Sequence, residues 1–371
     1  MRKLMVLVLA LALAVPVRAA EYEAKSWVLV DGATGTVLEK GNEQERLAPA
    51  SVTKVMTLLL IMEAVDTGQI SMDDTVTVSA YAAGMGGSQV YLKEGEQMSV
   101  SELIKCVTVV SGNDCAVALA EHIAGSESAF VTRMNQRAAQ LGMADTTFLN
   151  CTGLPAQGHV TSAYDIALMS RELLTKHPDI KRFTTIWMDT VRNGEFGLSN
   201  TNKLIRFYSG ATGLKTGFTS GAGYCLSATA EREGMELIAV VMGAETSQIR
   251  NTACKQLLDY GFANFAVVAP EMGEEAVVPV RLGTEQGIRL VPGENPRLLI
   301  DKALKSGITT DISLEPEVTA PVSQGQQLGT LTIRSGETIL ARVPLVAEME
   351  IPRLRWRNLF VLTLRKLAMG S

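Results

Sequence analysis

The sequence predicts an α+β protein: an antiparallel sheet with a cluster of helices, then a small all-β sandwich domain, then a C-terminal amphipathic helix. Three observations predict this order. Strand-like apolar runs lie at both ends of residues 20–265, with helical spacing between them. Short alternating segments separated by Pro and Gly fill residues 266–350, and residues 351–371 combine basic and apolar side chains. The chain has 371 residues, 47% of them apolar, which is enough for the cores of two domains.

The first segment, residues 1–19, has the pattern of a secretory signal peptide. Two basic residues precede an apolar stretch from Leu4 to Val15, and small residues near Ala19 suit cleavage. A membrane-spanning anchor is the alternative, but about a dozen apolar residues fall short of the roughly 20 that a spanning helix needs. The sequence therefore predicts an exported protein that begins near Ala20.

The sheet of the first domain is predicted at the two ends of residues 20–265. Its strands are Ser26–Asp31 and Thr36–Lys40, joined by a Gly-rich turn, and later Tyr224–Ala230 and Leu237–Gly243. Between them, the almost wholly apolar run Val55–Val65 predicts a buried helix that starts at Ser51. Amphipathic helices are expected over residues 99–141 and 162–175, and another helix ends near Gly261.

The second domain is predicted from alternating, strand-like segments. They are Val277–Leu282, Leu298–Ile300, Asp311–Leu314, Gln327–Ile333 and Thr338–Val343. We place the boundary between the domains near residue 265.

Charge and cysteine content exclude several functional classes. Without residues 1–19 the chain has 31 Lys and Arg against 39 Asp and Glu, which argues against a nucleic-acid partner. The cysteines are odd in number and lack CxxC spacing, so we expect buried free thiols: Cys106, Cys115, Cys151, Cys225 and Cys254. No histidines have the spacing of metal ligands, and we expect neither a metal nor a cofactor.

The first chemical motif is Ser51-Val52-Thr53-Lys54 at the start of the predicted core helix. Residues three apart share a helix face, so the Lys54 amine can lie against the Ser51 hydroxyl. A serine hydroxyl needs a base to become a nucleophile, and burial near a helix N-terminus can lower the pKa of a lysine enough to supply one. Alone, this four-residue pattern is weak.

The second motif is Ser111-Gly112-Asn113. We expect Gly112 to permit a turn that points both flanking side chains into a cleft. Ser111 is a candidate proton relay to the leaving amine, and Asn113 a candidate partner for the peptide backbone of a substrate. An ordinary turn between helices is the alternative.

The third motif is Lys215-Thr216-Gly217, just before a predicted strand. On an edge strand it could pair with an extended peptide, with Gly217 allowing close approach and with Lys215 and Thr216 holding a terminal carboxylate. A solvated loop lysine is the alternative.

Together the three motifs match one known signature. SxxK, SxN and KTG, in this order, mark penicillin-binding proteins and class A β-lactamases. With the segments Gly84–Ser88, Asn150–Leu154 and Lys215–Tyr224, the chain resembles the low-molecular-mass penicillin-binding proteins that act as D-alanyl-D-alanine carboxypeptidases. The resemblance covers nearly all of the chain after residue 19 and implies a β-lactamase/transpeptidase-like first domain.

The resemblance also implies site roles and partners. It places the amides of Ser51 and Phe218 in an oxyanion hole, Arg250 opposite the substrate carboxylate, and Thr219 among the substrate-binding residues. The expected substrate is a peptidoglycan stem peptide ending in D-Ala-D-Ala, cleaved through an acyl-enzyme on Ser51, and β-lactams are expected to acylate the same serine. Phe218 and Cys115 depart from the family pattern, where a polar and a small residue are usual.

Two other functions share part of these observations. A class A β-lactamase would also use a glutamate to activate the deacylating water, and no E-x-x-L-N pattern occurs between residues 150 and 200. A non-catalytic wall-binding protein would not need intact Ser51, Lys54 and Lys215. His159, alone or with His122 and His177, offers a weak alternative base or metal site, and we expect it to be structural.

The C-terminal tail, residues 352–371, carries five basic residues and no acidic one. At 100° per residue, its apolar side chains share one broad arc, which predicts a helix lying on an anionic membrane surface. Docking of this helix on the protein itself is the alternative. Together, the two chain ends predict an exported enzyme that is held at the outer face of the cytoplasmic membrane.

Overall fold

The computed structural model describes residues 22–269, 276–293 and 297–355. The predicted signal peptide and residues 356–371 of the predicted tail helix lie outside these ranges. Residues 351–355, predicted as the start of that helix, are not helical, because Ile351 and Arg353 form β-bridges with Val322 and Gly283. The helices are α1 Lys54–Asp66, α2 Ala80–Ala83, α3 Val100–Val109, α4 Asn113–Ala124, α5 Glu127–Gln140, α6 Ala163–Lys176, α7 Lys181–Thr184, α8 Leu204–Phe207 and α9 Ser247–Asn264. Three 3-10 turns span Ala50–Thr53, Pro178–Ile180 and Lys302–Gly307. No helix in the described ranges is long and apolar enough to cross a membrane.

The strands alternate with these helices in the first domain and dominate the second. They are β1 Ser26–Asp31, β2 Val37–Gly41, β3 Thr75–Thr77, β4 Gln97–Ser99, β5 Met188–Val191, β6 Phe196–Ser199, β7 Ala211–Thr219, β8 Gly223–Arg232, β9 Met235–Ala244, β10 Phe265–Val268, β11 Val277–Arg281, β12 Gly287–Pro292, β13 Leu298–Asp301, β14 Ile308–Leu314, β15 Val318–Thr319, β16 Gln327–Ser335 and β17 Thr338–Ala347. The sequence did not indicate the two short hairpins, β3–β4 and β5–β6.

The first domain is built on a five-stranded antiparallel sheet in the order β2-β1-β9-β8-β7. Alternate side chains of β9 enter different cores: Ile238 and Val240 pack with the helices on one face, while Leu237 and Ala239 pack with α9 on the other. The antiparallel sheet with a helical cluster is therefore confirmed, and β7 is one of its two edges.

Helix α1 runs through the core on the helical side of the sheet. Nine of its thirteen residues are buried, because apolar side chains cover almost its whole circumference. The helix begins at Lys54 rather than at the predicted Ser51, since residues 50–53 form a 3-10 turn instead. Lys54 thereby enters the core as the first helical residue.

The all-β character of the second domain is confirmed. Its six-stranded sheet has the order β14-β16-β17-β12-β11-β15, and its inward side chains, among them Leu290, Leu331 and Leu345, enclose a separate hydrophobic core. The predicted strand at Leu298–Ile300 lies outside this sheet: as β13 it pairs with β10, which directly follows α9. The domain boundary near residue 265 remains our proposal, and it coincides with the start of β10.

Candidate active site

Ser51 lies in the 3-10 turn at the head of α1. Ala50, just before it, has a φ of +49°, in a left-handed region that non-glycine residues seldom occupy. Ala50, Val52 and Thr53 are buried, whereas Ser51 keeps partial access to solvent. The turn therefore keeps Ser51 between buried neighbours and leaves it partly exposed to solvent.

Lys54 is completely buried, and its Nζ makes three polar contacts. The Nζ atom lies 3.0 Å from Ser51 Oγ, 2.6 Å from Asn113 Oδ1 and 2.7 Å from the Thr152 carbonyl oxygen. Burial disfavours the charged amine and lowers the pKa of Lys54 to about 7. The structure thus brings together Ser51 and Lys54 as the sequence predicted, with a lysine that can be neutral near physiological pH.

The Ser111-Gly112-Asn113 segment joins α3 to α4. The left-handed residue here is Ser111, with a φ of +67°, and Gly112 has an ordinary φ of −54°, so the predicted reason for the glycine is wrong. Gly112 is instead closely packed, since a methyl group on it would lie 3.0 Å from Asp114 Oδ1 and 3.1 Å from Cys115 Sγ. The Ser111 hydroxyl is buried and has no hydrogen-bond partner among the described residues. An unpaired buried hydroxyl is free to bind a substrate group.

Lys215, Thr216 and Gly217 lie within strand β7, at the edge of the sheet, and not just before a strand as the sequence suggested. A methyl group on Gly217 would lie 2.8 Å from the Pro49 carbonyl oxygen and 3.0 Å from the Ser51 amide nitrogen. The strand therefore packs backbone to backbone against the Ser51 turn. Thr216 Oγ1 pairs with Thr201 Oγ1 at 2.8 Å, a contact that the sequence did not suggest.

Lys215 is a second buried lysine at this site. Its Nζ donates to the Thr216 carbonyl at 2.9 Å, and no ion pair to a carboxylate is found for it among the described residues. Burial, with the positive charges of Lys54 and Arg250, holds the pKa of Lys215 well below its usual value. A bound anion would stabilise the charged form of Lys215, so this site favours a negatively charged group.

Arg250 and Phe218 complete this end of the cleft. The Arg250 guanidinium is buried, contacts the Asn251 side chain at 2.9 Å, and lies over the Tyr224 ring, 5.9 Å from its centroid. Tyr224 in turn stacks on Phe218, with ring centroids 4.2 Å apart. Phe218 is 53% exposed, so an aromatic side chain forms the rim here. Thr219 Oγ1 accepts from the Ala222 amide and so shapes the turn that follows.

The segment Asn150–Leu154 provides a part of the site to which the sequence assigned no role. The Asn150 side chain accepts hydrogen bonds from Thr152 and Gly153 and so folds the segment on itself. Gly153 has a φ of +84°, and a methyl group there would overlap the Ala50 carbonyl. The segment therefore packs against the nucleophile turn and directs the Thr152 carbonyl at Lys54. Because the acceptor is a backbone carbonyl, which every residue has, the identity of residue 152 could not have predicted this contact.

The cysteines are free and buried, as predicted. Burial raises the pKa of Cys115 well above its ordinary value, so its thiolate is disfavoured. Among the described residues, no group of three or more His, Cys, Asp or Glu side chains could hold a metal ion.

A buried lysine against a serine, an unpaired serine hydroxyl and an edge strand beside buried basic side chains are together typical of a serine hydrolase. The sequence profile of D-alanyl-D-alanine carboxypeptidases matches residues 14–246, and that of the penicillin-binding protein 5 C-terminal domain matches residues 272–353. The chain is similar to the D-alanyl-D-alanine carboxypeptidase DacF of Bacillus subtilis, with 44% identity over 90% of this chain and 87% of the relative.

Solved structures agree with the sequence comparison. Penicillin-binding protein 5 of Haemophilus influenzae superimposes with a TM-score of 0.76 and 32% identity, over 90% of this chain and 98% of that one. Penicillin-binding protein D2 of Listeria monocytogenes, in its ampicillin-bound form, gives a TM-score of 0.60 and 32% identity over 66% of this chain and 99% of that one. The chain therefore belongs to the D-alanyl-D-alanine carboxypeptidase family of serine peptidases, which confirms the folds predicted for its two domains and the activity predicted from its motifs.

Proposed function

We propose that Ser51 forms the acyl-enzyme through which this protein removes the terminal D-alanine of peptidoglycan stem peptides. The observation that carries the proposal is the 3.0 Å contact between Ser51 Oγ and the Nζ of a fully buried Lys54. A neutral amine has two N–H groups and one lone pair. Because the Asn113 side chain and the Thr152 carbonyl accept the two N–H groups, the lone pair is left to face the Ser51 hydroxyl.

The acylation step follows from this arrangement. Lys54 takes the proton as Ser51 Oγ bonds to the carbonyl carbon between the last two D-alanines, and the carbonyl oxygen becomes an oxyanion. The amides of Ser51 and Phe218 stabilise that charge, a role supported by the close packing of Gly217 on the nucleophile turn. The C–N bond then breaks, and the leaving nitrogen receives a proton through Ser111, whose hydroxyl has no other described partner. Free D-alanine departs, and water releases the shortened peptide from Ser51.

Substrate binding is proposed along β7. An extended peptide can add to this edge strand by backbone hydrogen bonds, with Asn113 as a proposed side-chain partner of the peptide backbone. Lys215, Thr216 and Arg250 would hold the terminal carboxylate, since Lys215 and Arg250 are buried and have no carboxylate partner within the described ranges, which favours an anion. Thr219 and the rim residue Phe218 would contact the part of the peptide that stays on the enzyme.

The same serine is the proposed target of β-lactams. The similar Listeria protein is described with ampicillin and with cefotaxime bound, which supports this proposal by analogy. Mass spectrometry after incubation with penicillin tests it: we expect one adduct, on a peptide that contains Ser51, and none on a Ser51→Ala variant. An adduct elsewhere, or none, would disprove the acyl-enzyme. Release of D-alanine from a muropeptide, measured beside hydrolysis of a chromogenic β-lactam, separates a carboxypeptidase from a β-lactamase.

We also propose that the protein acts in cell-wall remodelling outside the cytoplasmic membrane. The signal-like residues 1–19 and the basic, amphipathic residues 352–371 support export and attachment to an anionic membrane surface. Flotation with vesicles that contain anionic lipid tests the attachment. The full chain should float and a chain ending at residue 351 should not; equal flotation would refute a role for the tail.

A further inference from the structure

His159 contacts two segments that position the Lys54 side chain. The ring is only 4% exposed, and its Nε2 lies 2.8 Å from Thr53 Oγ1. Its Nδ1 lies 3.2 Å from the backbone nitrogen of Leu149. Thr53 ends the nucleophile turn, next to Lys54, and Leu149 directly precedes the segment that aims the Thr152 carbonyl at the Lys54 amine.

The hydrogen bonds fix the tautomer of this histidine. A backbone N–H can only donate, so Nδ1 carries a lone pair and the ring proton must be on Nε2, where it is donated to the Thr53 hydroxyl. Burial lowers the pKa of His159 to about 4, so the ring stays neutral at physiological pH. Its two hydrogen bonds therefore keep one direction throughout the pH range in which Lys54 titrates.

The backbone that directly follows His159 is also anchored. Val160 and Thr147 exchange two backbone hydrogen bonds, and Thr161 does the same with Leu47, which lies shortly before the nucleophile turn. The imidazole packs edge to face on Phe148, with centroids 5.8 Å apart. His159 thus has little freedom to move, and it transmits that rigidity to Thr53 and Leu149.

We propose that His159 is a positioning residue for acylation: through Thr53 and Leu149 it fixes the distance between Lys54 Nζ and the Ser51 hydroxyl. It does not touch substrate or take a proton in this role. The inference rests on the proposed function of Ser51 and Lys54. A displacement of about 1 Å at a reacting pair can cost about 100-fold in rate, so the loss of one anchor should be measurable.

The test compares second-order acylation rates with a fluorescent penicillin, measured on folded protein between pH 6 and 9. We expect His159→Ala and Thr53→Val each to react about 10- to 100-fold more slowly. Because both remove the same bond, the double variant should be no slower than the slower single variant. Thr53→Ser, which keeps the hydroxyl, should react nearly like the unmodified protein. The midpoint of the pH profile should also shift in His159→Ala, since Lys54 would lose its fixed surroundings.

A matched control is His177→Ala, which removes a histidine that pairs with Asp66 at the far end of α1 and should leave acylation unchanged. Unchanged rates and an unchanged pH midpoint in folded His159→Ala would overturn the inference, as would losses that multiply in the double variant. If His159→Ala does not fold, Thr53→Val against Thr53→Ser still decides: equal rates in these two would overturn it. If the unmodified protein is not acylated on Ser51, the proposed function fails instead.

Discussion

The cleft of the first domain and the sheet of the second treat charged side chains in opposite ways. In the cleft, Lys54 and Lys215 are fully buried, and neither has an ion-pair partner among the described residues. In the second domain, Arg281 pairs with Glu317 at 3.0 Å, and both side chains are more than half exposed. Burying an unpaired charge costs folding free energy, whereas exposed pairs are nearly neutral. The first domain bears that cost at the proposed active site, where Lys54 is the proposed base and Lys215 is proposed to hold the substrate carboxylate.

The largest expected effect comes from Lys54→Met, which keeps the length of the side chain and removes the base. We expect acylation by penicillin to fall at least about 1,000-fold. Stability should change little, because relief of the buried amine offsets the loss of its hydrogen bonds to Asn113 and Thr152. Acylation rates and urea denaturation of the same preparation measure both. Strong destabilisation would show that Lys54 is mainly a structural residue.

Leu331→Ala, in the core of the second domain, is expected to lower stability without lowering acylation. Leu331 is fully buried, and truncating a buried leucine costs about 2–5 kcal/mol. The acylation rate of the folded protein should be unchanged, since no residue of this core lines the cleft. Denaturation curves and acylation rates at the same temperature provide the measurement. A matching fall in acylation would mean that the two domains are coupled more tightly than their separate cores indicate.

Gly217→Ala tests how closely β7 approaches the nucleophile turn. The added methyl group would lie 2.8 Å from the Pro49 carbonyl oxygen, a contact that forces one backbone away from the other. We expect acylation to fall by about 100-fold, because both proposed oxyanion donors adjoin this contact. Gly221→Ala is the control, since a methyl group there meets no atom within 4 Å. Equal rates in the two variants would show that the close contact of Gly217 with the nucleophile turn does not affect acylation.

The pH dependence of acylation is expected to follow Lys54. Burial lowers the pKa of Lys54 to about 7, and only the neutral amine can accept the Ser51 proton. The rate should therefore rise with pH, fall about tenfold per unit below pH 7, and level off above pH 8. Penicillin acylation from pH 5.5 to 9 measures the profile. A rate that is flat across pH 7 would mean that Lys54 does not act as the base.

Sequence reasoning was most accurate where residue type dictates structure. The apolar run of α1 and the strand-like apolar runs of β8 and β9 have local causes, and both are present in the structure. Spacing also sufficed to place Lys54 against Ser51, because three residues make about one helical turn.

What the sequence could not show depends on contacts between distant segments. The Thr152 carbonyl and the Thr201 hydroxyl reach the site through loop paths that no local pattern encodes. The left-handed φ at Ser111 is imposed on a residue that does not favour it, so the sequence pointed to its glycine neighbour instead. His159 was expected to be structural, and only its two ring contacts connect it with Lys54.

The smallest expected effect tests the exposed side of the comparison. Arg281→Ala breaks the ion pair with Glu317, whose two side chains are 66% and 52% exposed. Water solvates both charges, and holding two long side chains together costs entropy, so the free energy of unfolding should change by less than about 1 kcal/mol. Urea denaturation at low and high salt measures it, with Glu317→Ala and the double variant completing a cycle. A coupling well above this value would show that the second domain, like the cleft, depends on its charges, and the contrast between the two regions would no longer hold.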